Sequence, residues 1–234
     1  MTPARVTAAR ETSRKPVVLS WSGGKDSALA LAELQRSDEF EPVALLTSVT
    51  SGYDRISVHG VRRALLELQA QSIGLPLVEI SLDPNSSNVA YEAAFRHAVN
   101  NIRARWPEVE HIAFGDLFLE DVRAYRERLL SGSGFEPVFP IWGRNTADLA
   151  REFIDRGFNA RLVCVDTTQL DESFAGRAFD STLLEDLPST ADPCGERGEF
   201  HTFVSNGPIF ANAVACEAGE RVLRENRFMY CDLL

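Results

Sequence analysis

The sequence predicts an α/β fold, in which a parallel sheet carries helices on both faces and a smaller mixed α+β part follows it. Two observations lead to this prediction. In the first half of the chain, short apolar runs of strand length alternate with longer helical patterns, and this order requires right-handed crossovers between parallel strands. After Pro188 the pattern changes to short strand-like runs joined by tight turns such as Asn206-Gly207-Pro208, which indicates an antiparallel patch against the parallel sheet.

The first half is expected to hold four strands and four helices in alternation. The first strand is apolar except for Ser20, and the helix after it is rich in Ala and Leu. The second helix is amphipathic and should end at Gly74, because glycine favours the left-handed backbone that terminates helices. In chain order, the predicted strands and helices are 17–21, 27–35, 42–49, 58–73, 75–82, 89–106, 111–115 and 119–130.

The second half begins at the turn-rich segment 131–134, where Ser and Gly alternate. The expected helices and strands that follow, in chain order, are 146–156, 160–166, 180–187, 201–204, 209–216 and 228–232. We therefore divide the chain into a first domain over 16–130 and a second over 131–234. Residues 1–15 are mostly Thr, Ala, Arg and Ser, with almost no large apolar side chains, so we expect a disordered tail there.

Composition narrows the functional classes. The formal net charge is −10, and because phosphate contacts carry much of the affinity for nucleic acid, a large RNA or DNA partner is disfavoured. The four cysteines form no Cys-x-x-Cys pair, which disfavours a zinc site or a redox pair and indicates a reducing cytoplasm. No apolar run approaches membrane-spanning length, so we expect a cytoplasmic protein without a membrane segment.

The string Ser22-Gly23-Gly24-Lys25-Asp26-Ser27 lies between the first predicted strand and the first predicted helix. Ligands of a parallel sheet bind at the carboxyl ends of its strands, and the free N–H groups at the start of a helix attract anions. The adjacent glycines let a phosphate approach the main chain, the serine hydroxyls can donate hydrogen bonds, and Lys25 adds positive charge. Asp26 would repel a phosphate, so we expect it to hold magnesium or to cap the helix.

The loop has neither the spacing of a Walker A motif nor that of G-x-G-x-x-G, and a plain glycine turn followed by a helix cap is the simpler alternative. The whole six-residue string, however, resembles the PP-loop of the ATP pyrophosphatase superfamily. That resemblance implies that the loop grips the β- and γ-phosphates of ATP while a substrate oxygen attacks the α-phosphorus. The products would be an adenylated substrate and pyrophosphate. The resemblance also implies that the end of the second strand, around 46–48, lies beside the adenine and ribose.

Two shorter features are further candidates for the site. His59 opens the second predicted helix and could contact substrate, although a solvated histidine at a helix start is the more common arrangement. Asp116, in the string Phe114-Gly115-Asp116, follows the fourth strand at the same carboxyl edge. It could bind magnesium or a substrate amine, and a plain turn aspartate explains it equally well.

The densest polar cluster is Asp192-Pro193-Cys194-Gly195-Glu196-Arg197-Gly198-Glu199-Phe200-His201-Thr202. It is either a surface hairpin with charged tips or a loop that faces the substrate. Paired carboxylates can hold a cation or accept protons, and a histidine can shuttle protons near neutral pH. Cys194 would be a nucleophile only if its pKa were lowered, and nothing in the sequence indicates that.

Together these strings resemble the diphthine–ammonia ligase (diphthamide synthase) family over about 17–210, and the cluster at 192–202 carries most of that resemblance. The resemblance implies a Rossmann-like (adenine nucleotide alpha hydrolase-like) fold, with a PP-loop ATP-binding first domain and a substrate-facing second domain. It also implies that ATP and ammonia convert a carboxylate on a modified histidine of elongation factor 2 into a carboxamide.

The loop, the strand ends and the cluster together define the expected site. The expected ATP-binding residues are Ser20, Ser22, Gly23, Gly24, Lys25, Asp26, Ser27, Thr47, Ser48, Gly115 and Asp116, with Mg²⁺ at Asp26. The expected catalytic residues are Lys25, Asp26, Glu196, Glu199 and His201. The residues expected to contact substrate are His59, Cys194, Gly195, Glu196 and Glu199.

The favoured hypothesis is an ATP-dependent, AMP-forming ligase that adenylates a carboxylate and amidates it with ammonium. The carboxylate would belong to an elongation factor 2-like protein or to a small carboxylic acid. Two alternatives stay open, a PP-loop enzyme that modifies a tRNA base and an ATP-binding module without turnover. The acidic charge disfavours the first and the polar cluster disfavours the second. The apolar run 228–234 is a candidate for strand pairing across a homodimer.

Overall fold

The computed structural model of the chain describes residues 14–51, 55–56, 60–84 and 86–234. Its first half follows the predicted alternation of strands and helices. The strands are β1 (Lys15–Ser20), β2 (Phe40–Thr50), β3 (Arg55–Ile56), β4 (Leu77–Leu82), β5 (His111–Ala113) and β6 (Glu136–Val138). The helices are α1 (Lys25–Arg36), α2 (Arg63–Ile73), α3 (Asn88–Arg105) and α4 (Glu120–Leu130).

The second half contains α5 (Thr146–Asp155), β7 (Asn159–Asp166), a short 3₁₀ helix (Glu172–Phe174), α6 (Ser181–Asp186), β8 (Phe200–Asn206), β9 (Ala218–Arg224) and β10 (Phe228–Leu233). Local sequence explains several helix boundaries. Asn145 and Asp180 cap α5 and α6, because each side chain accepts a hydrogen bond from the N–H three residues on. α2 ends where predicted, at Gly74, whose φ of 80° is left-handed.

Five strands form a parallel sheet in the order β4-β2-β1-β5-β6, and β3 adds a two-residue antiparallel pairing at the end of β2. Counted among the parallel strands alone, this order is 3-2-1-4-5, which is that of a Rossmann-like, doubly wound sheet. The predicted fold class is therefore confirmed. Because the strand order reverses between β1 and β5, the carboxyl end of β1 opens onto a crevice suited to a ligand.

Helices cover both faces of this sheet, and alternate residues of β1 show the division. Val18 joins a core with α3 and α4, whereas Val17 and Leu19 belong to a core with α1 and α2. α1 is buried on nearly every side, including all of residues 27–32. A helix that is buried all round must be covered on its outer side as well as on the side that faces the sheet.

A second sheet provides this outer cover. It is antiparallel, in the order β8-β7-β10-β9, and forms the smaller C-terminal part that the sequence predicts. β8 contacts α1, so the antiparallel sheet lies against the parallel sheet through a helix that both sheets bury. One continuous core runs from β1 through α1 to β7 and β8.

Several details of the predicted elements differ from the structure. Residues 209–216, predicted as a strand, have irregular backbone, although Ile209 and Val214 are buried. The prediction lacks β3 and β6, which have only two and three residues, and β9, which is largely exposed and therefore shows no apolar face. The run 228–234, a candidate for pairing across a dimer, forms β10 between β7 and β9, so both of its edges are already paired.

Three other expectations concern the cysteines, a membrane segment and the N-terminal tail. Cys164, Cys194 and Cys231 are buried free thiols, and Cys216 is half-buried. No helix in the part of the chain that the structure describes is long and apolar enough to cross a membrane. The expected tail lies outside the described residues up to position 13.

Leu31→Ala should lower the free energy of unfolding by about 2–5 kcal/mol, because the side chain is fully buried in the core that joins the two sheets and its removal leaves a cavity. Leu68→Ala is the matched control. Leu68 lies on the exposed side of α2, so its loss should change stability by less than about 0.5 kcal/mol. Unfolding in urea, monitored by circular dichroism, measures the free energy of unfolding of both variants. Equal losses of stability in the two variants would contradict the central position of α1.

Candidate active site

The loop between β1 and α1 lies at the edge of the sheet where the carboxyl ends of β1, β2 and β5 meet. The Ser22 and Ser27 hydroxyls lie 3.2 Å apart across it. Ser27 Oγ donates to the Gly24 carbonyl over 2.9 Å, and the Gly24 N–H donates to Ser22 Oγ over 3.3 Å. The loop is thus closed on itself and places the positive end of α1 at the sheet edge.

Two elements that are distant in sequence clamp this loop. Gln69 of α2 is fully buried, and its Nε2 donates to the carbonyls of Gly23 over 3.0 Å and Val204 over 2.6 Å. Its Oε1 accepts from Trp21 Nε1 over 3.0 Å. The Val204 N–H of β8 also donates to the Gly23 carbonyl, over 2.9 Å. These bonds fix the loop against a helix of the first half and a strand of the second.

Two glycines allow approaches that a side chain would block. Gly23 has a φ of 77°, and a β-carbon there would lie 2.8 Å from Gln69 Oε1. Gly115, which follows β5, passes so close to the start of α1 that a β-carbon would lie 2.9 Å from the carbonyl carbon of Asp26. Both glycines therefore let a loop at the sheet edge approach a helix closely.

Lys25 and Asp26 form an ion pair at the start of α1. Lys25 Nζ lies 2.8 and 2.7 Å from the two carboxylate oxygens of Asp26. The Lys25 N–H donates to Thr202 Oγ1 of β8 over 3.0 Å, which ties the start of α1 to the second sheet. Burial opposes the charge of Lys25, but the nearby carboxylates outweigh burial, so the pKa of Lys25 is raised and the side chain stays a cation.

Asp192 organises the first turn of the polar cluster. Its Oδ1 accepts from the N–H groups of Cys194 over 2.9 Å and Glu196 over 3.3 Å. Its Oδ2 accepts from the Thr146 hydroxyl over 2.8 Å. The turn that Asp192 shapes in this way carries Glu196 toward the loop 22–27, the phosphate loop.

Glu199 belongs to the same cluster but engages the cluster's own backbone. It is 1 % exposed, and its two oxygens accept from the N–H groups of Asp192 over 2.8 Å and Arg197 over 3.0 Å. It is not among the described residues that line the cavity beside the phosphate loop. This geometry favours a structural role for Glu199 over the catalytic and substrate-binding roles expected from the sequence.

Glu196 is the carboxylate of the cluster that enters the cavity. Its Oε1 accepts from the Leu117 N–H over 2.8 Å. Burial, together with the negative charges of Asp26 and Asp116, raises the pKa of Glu196 to about 7. Its carboxyl group can therefore gain or lose a proton near neutral pH, as general acid–base catalysis requires.

His201 and Cys194 do not change charge near neutral pH. Burial and the charge of Lys25 lower the pKa of His201 to about 4, so its imidazole is neutral at pH 7. Burial raises the pKa of Cys194 to about 12, and its Sγ donates to the Thr146 carbonyl over 3.3 Å. A buried, neutral thiol is a poor nucleophile, which disfavours covalent catalysis by Cys194.

Two cavities meet at this edge of the sheet. The first, of about 250 Å³, is bounded by the phosphate loop, the loop after β5 and the polar cluster. The second, of about 590 Å³, lies beside the ends of β1, β2 and β4. Within it Thr47 is 2 % exposed, and its Oγ1 has no hydrogen-bond partner in the described part of the chain, which indicates a place for a ligand. Ser20, Ser22 and Arg126 line both cavities.

Most of the residues expected in the site lie around these two cavities. The expected residues that line them are Ser20, Ser22, Gly24, Lys25, Asp26, Ser27, Thr47, Ser48, Gly115, Asp116, Gly195, Glu196 and His201. Gly23 shapes the loop without lining either cavity, and the same holds for Cys194 in the cluster. His59 lies outside the described residues.

Two residues of the site have no signal in the sequence. Gln69 lies within an amphipathic helix, and its sequence position does not distinguish it from a polar residue on the exposed face of that helix. Arg126 lies in the middle of α4, where its Nε donates to Asp116 Oδ2 over 3.3 Å and its guanidinium lies 5.0 Å from the centre of the Phe114 ring. Only their three-dimensional contacts identify either residue, with Gly23 and Val204 for Gln69 and with the loop after β5 for Arg126.

A phosphate loop at the point where the strand order of a Rossmann-like sheet reverses defines a nucleotide-binding α/β protein. Two family models match the chain, the diphthamide synthase N-terminal domain over residues 14–137 and the diphthamide synthase C-terminal domain over residues 145–232. The chain therefore belongs to the diphthamide synthase family, a family of ATP-binding PP-loop proteins.

Curated proteins named diphthine–ammonia ligase are similar to this chain over most of its length. The Homo sapiens protein is 25 % identical over 228 residues, covering 86 % of this chain and 83 % of that protein. The Danio rerio protein is 23 % identical over 232 residues, covering 88 % of each chain. The Saccharomyces cerevisiae protein is 24 % identical over 240 residues, covering 85 % of this chain and 35 % of that protein. The family resemblance expected from the sequence strings is confirmed.

Gly23→Ala should weaken ATP binding at least about tenfold, because a β-carbon would both strain a left-handed backbone and displace Gln69 from the loop. Gly74→Ala is the matched control, since its φ is also left-handed but a β-carbon there meets nothing within 4 Å. Both variants should lose about 1 kcal/mol of stability from backbone strain. Isothermal titration with ATP separates the two effects, and equal ATP affinities would contradict the clamp.

Glu196→Gln should remove a pH dependence of stability. Between the ordinary pKa of 4.5 and the folded-state pKa of about 7, the folded protein holds a proton that the unfolded chain releases. Wild-type stability should therefore fall as pH rises through this window. In the variant that fall should be smaller, so its stability relative to wild type should improve from pH 5 to pH 8. Chemical unfolding at both pH values tests this, and a constant difference would argue against the raised pKa.

Proposed function

We propose that the chain is an ATP-dependent, AMP-forming ligase that adenylates a carboxylate and amidates it with ammonia. One observation carries the proposal: Lys25 of the phosphate loop and Glu196 of the polar cluster line the same cavity. The cavity thus joins a cation beside a phosphate-binding loop to a carboxyl group that titrates near pH 7. Adenylation followed by attack of ammonia needs both groups in one place.

The larger cavity suits the adenosine part of ATP. Its wall carries the unpartnered Thr47 hydroxyl and, beside it, Ser48. The rest of the wall is largely apolar or aromatic and includes Leu46, Ile80, Leu82, Tyr91, Phe95 and Tyr125. From there the phosphates would pass Ser20 and Ser22 to reach the loop, where Lys25 and the start of α1 would hold the β- and γ-phosphates.

Asp26 and Asp116 would hold Mg²⁺, which would supply positive charge for the departing pyrophosphate. Both carboxylates line the first cavity, so the residues fit a cation there. The described residues contain no group of three or more His, Cys, Asp or Glu side chains able to hold a metal ion. A magnesium ion held by one or two carboxylates would take its other ligands from ATP and water, as is usual for this ion.

In the first step, a carboxylate oxygen of the substrate attacks the α-phosphorus of ATP, and the bond from that phosphorus to the bridging oxygen breaks to release pyrophosphate. Lys25 would neutralise the charge that collects on the departing pyrophosphate. His201 lines the same cavity and is neutral at pH 7, so it can hydrogen-bond the substrate without adding charge.

In the second step, ammonia attacks the acyl carbon of the acyl-adenylate, AMP leaves, and the nitrogen loses a proton. Glu196 would accept that proton, because its pKa of about 7 leaves it ionised in about half of the molecules at neutral pH. The ionised carboxylate would also attract ammonium into the cavity and take one proton from it to give ammonia, and that proton would pass to solvent before Glu196 accepts the second one. Free ammonia is the expected nitrogen donor.

The names of the similar proteins suggest which carboxylate this chain acts on. They are named for the ligation of ammonia to diphthine. We place a diphthine-like carboxylate on an elongation factor 2-like protein first among the candidate substrates, and a small carboxylic acid second.

Two other functions compete with this one. A PP-loop enzyme that modifies a tRNA base would need an RNA-binding surface, and the net charge of −10 disfavours it. An ATP-binding module without turnover would not need an ionisable carboxyl group beside its phosphate loop. The raised pKa of Glu196 therefore favours an enzyme.

With ATP, ammonium and diphthine-bearing elongation factor 2, the protein should form AMP, pyrophosphate and amide in equal amounts. Lys25→Met should lower turnover by about 10²-fold or more, since it removes charge beside the leaving group. Lys15→Met is the matched control, because Lys15 pairs with Glu39 at the opposite end of β1 and should leave turnover unchanged. Nucleotide chromatography and mass spectrometry of the protein substrate give both readouts.

Each other outcome points to a different function. ADP and phosphate as products would contradict adenylation. ATP binding without AMP release, with either candidate carboxylate present, would favour the module. AMP release that requires tRNA, together with a salt-sensitive tRNA shift in a gel, would favour the base-modifying enzyme.

A further inference from the structure

Arg126 has no role in the two proposed reaction steps, although it lies in the site. It lines both cavities, a placement that it shares only with Ser20 and Ser22 among the described residues. The first cavity contains two cationic side chains, Lys25 and Arg126, and the second contains Arg126 alone. The passage between the two cavities therefore has Arg126 as its single described cation.

Contacts on several sides hold the guanidinium in this passage. Its Nε donates to Asp116 Oδ2 over 3.3 Å, and its central carbon lies 5.0 Å from the centre of the Phe114 ring. Tyr91 of α3 lines the larger cavity together with Arg126. The side chain still keeps 24 % of its surface exposed, so a ligand in the passage can reach it.

We propose that Arg126 binds the α-phosphate of ATP and is a catalytic residue of the adenylation step, an inference that rests on the nucleotide orientation in the proposed function. With adenosine in the larger cavity and the β- and γ-phosphates on the loop, the α-phosphate lies in the passage between them. A guanidinium carries five N–H donors in a planar fork. Asp116 engages Nε, which leaves the fork's outer nitrogens placed to meet phosphate oxygens.

Adenylation takes place at this phosphorus. As the substrate oxygen attacks, negative charge spreads over the phosphoryl oxygens before the bond to pyrophosphate breaks. A cation already held by Asp116 and Phe114 needs little rearrangement to meet that charge. Lys25 then acts on the pyrophosphate that leaves, and Arg126 acts on the phosphate that stays with the substrate.

A purely structural ion pair is the competing explanation, because Arg126 and Asp116 also connect α4 to the loop after β5. The two explanations differ in what they expect of Asp116. In a structural pair, removal of either partner should have the same effect. If Arg126 binds phosphate, Asp116 competes with that phosphate for the guanidinium, and removal of its charge should leave phosphate binding intact or strengthen it.

The test compares the dissociation constants of AMP and adenosine, which differ by the α-phosphate, by isothermal titration without Mg²⁺. Arg126→Gln should reduce the preference for AMP at least about tenfold and leave the adenosine constant within about twofold. Asp116→Asn should keep or raise the preference. Arg123→Gln is the matched control. Arg123 lies one turn earlier in α4, stacks on Phe139 and Trp142 and lines neither cavity. Its replacement should leave both dissociation constants unchanged.

Two results would overturn the role of Arg126. One is an equal weakening of AMP and adenosine by Arg126→Gln, and the other is a loss of AMP preference in Asp116→Asn as large as that in Arg126→Gln. Should Arg126→Gln fail to fold, Arg126→Lys replaces it, with a smaller loss of preference because a point charge cannot engage the phosphate through two donors. A wild-type protein that binds neither ligand would instead overturn the ATP site itself.

Discussion

The Gly23 carbonyl is the point on which the site depends. It accepts from Gln69 Nε2 of α2 and from the Val204 N–H of β8, and the Gln69 amide also reaches the Val204 carbonyl. Because these groups are buried, each would cost about 1–3 kcal/mol if left unpaired, so the three segments hold one arrangement. β8 continues directly from the polar cluster. The bonds that aim the phosphate loop therefore also set the position of Glu196, and phosphate binding and proton transfer share one support.

Regular burial made much of the fold predictable. β1, α1 and the end of α2 at Gly74 follow from local signals, namely apolar spacing and a left-handed glycine. β9 gave no such signal, because Glu220, Arg221 and Arg224 leave an exposed edge strand without an apolar face. The segment 209–216 has the apolar pattern of a strand although its backbone is irregular, because it buries side chains without strand pairing. Sequence periodicity reports burial, and it reports hydrogen-bonded pairing only where the two coincide.

The site was predictable only where its chemistry is contiguous. The loop 22–27 carries glycines, hydroxyls and charge in consecutive residues, so a local string suffices. Glu196 and Glu199 have the same side chain, and tertiary contacts alone show that one enters the cavity while the other bonds to backbone. Gln69 and Arg126 lie on helices whose pattern places them only as polar positions. Their roles come from three-dimensional contacts with other elements, which the pattern of one sequence does not show.

The burial of α1 between two sheets bears on how this chain can evolve. A helix covered on one side alone could exchange its C-terminal neighbour for another module without losing core contacts. Here the outer side of α1 is core, so a replacement would have to match its Ala and Leu side chains one by one. We therefore expect the regions 14–137 and 145–232 to be inherited together in evolution. Novelty is easier to accommodate in the walls of the two cavities, where a side chain can change without reopening that core.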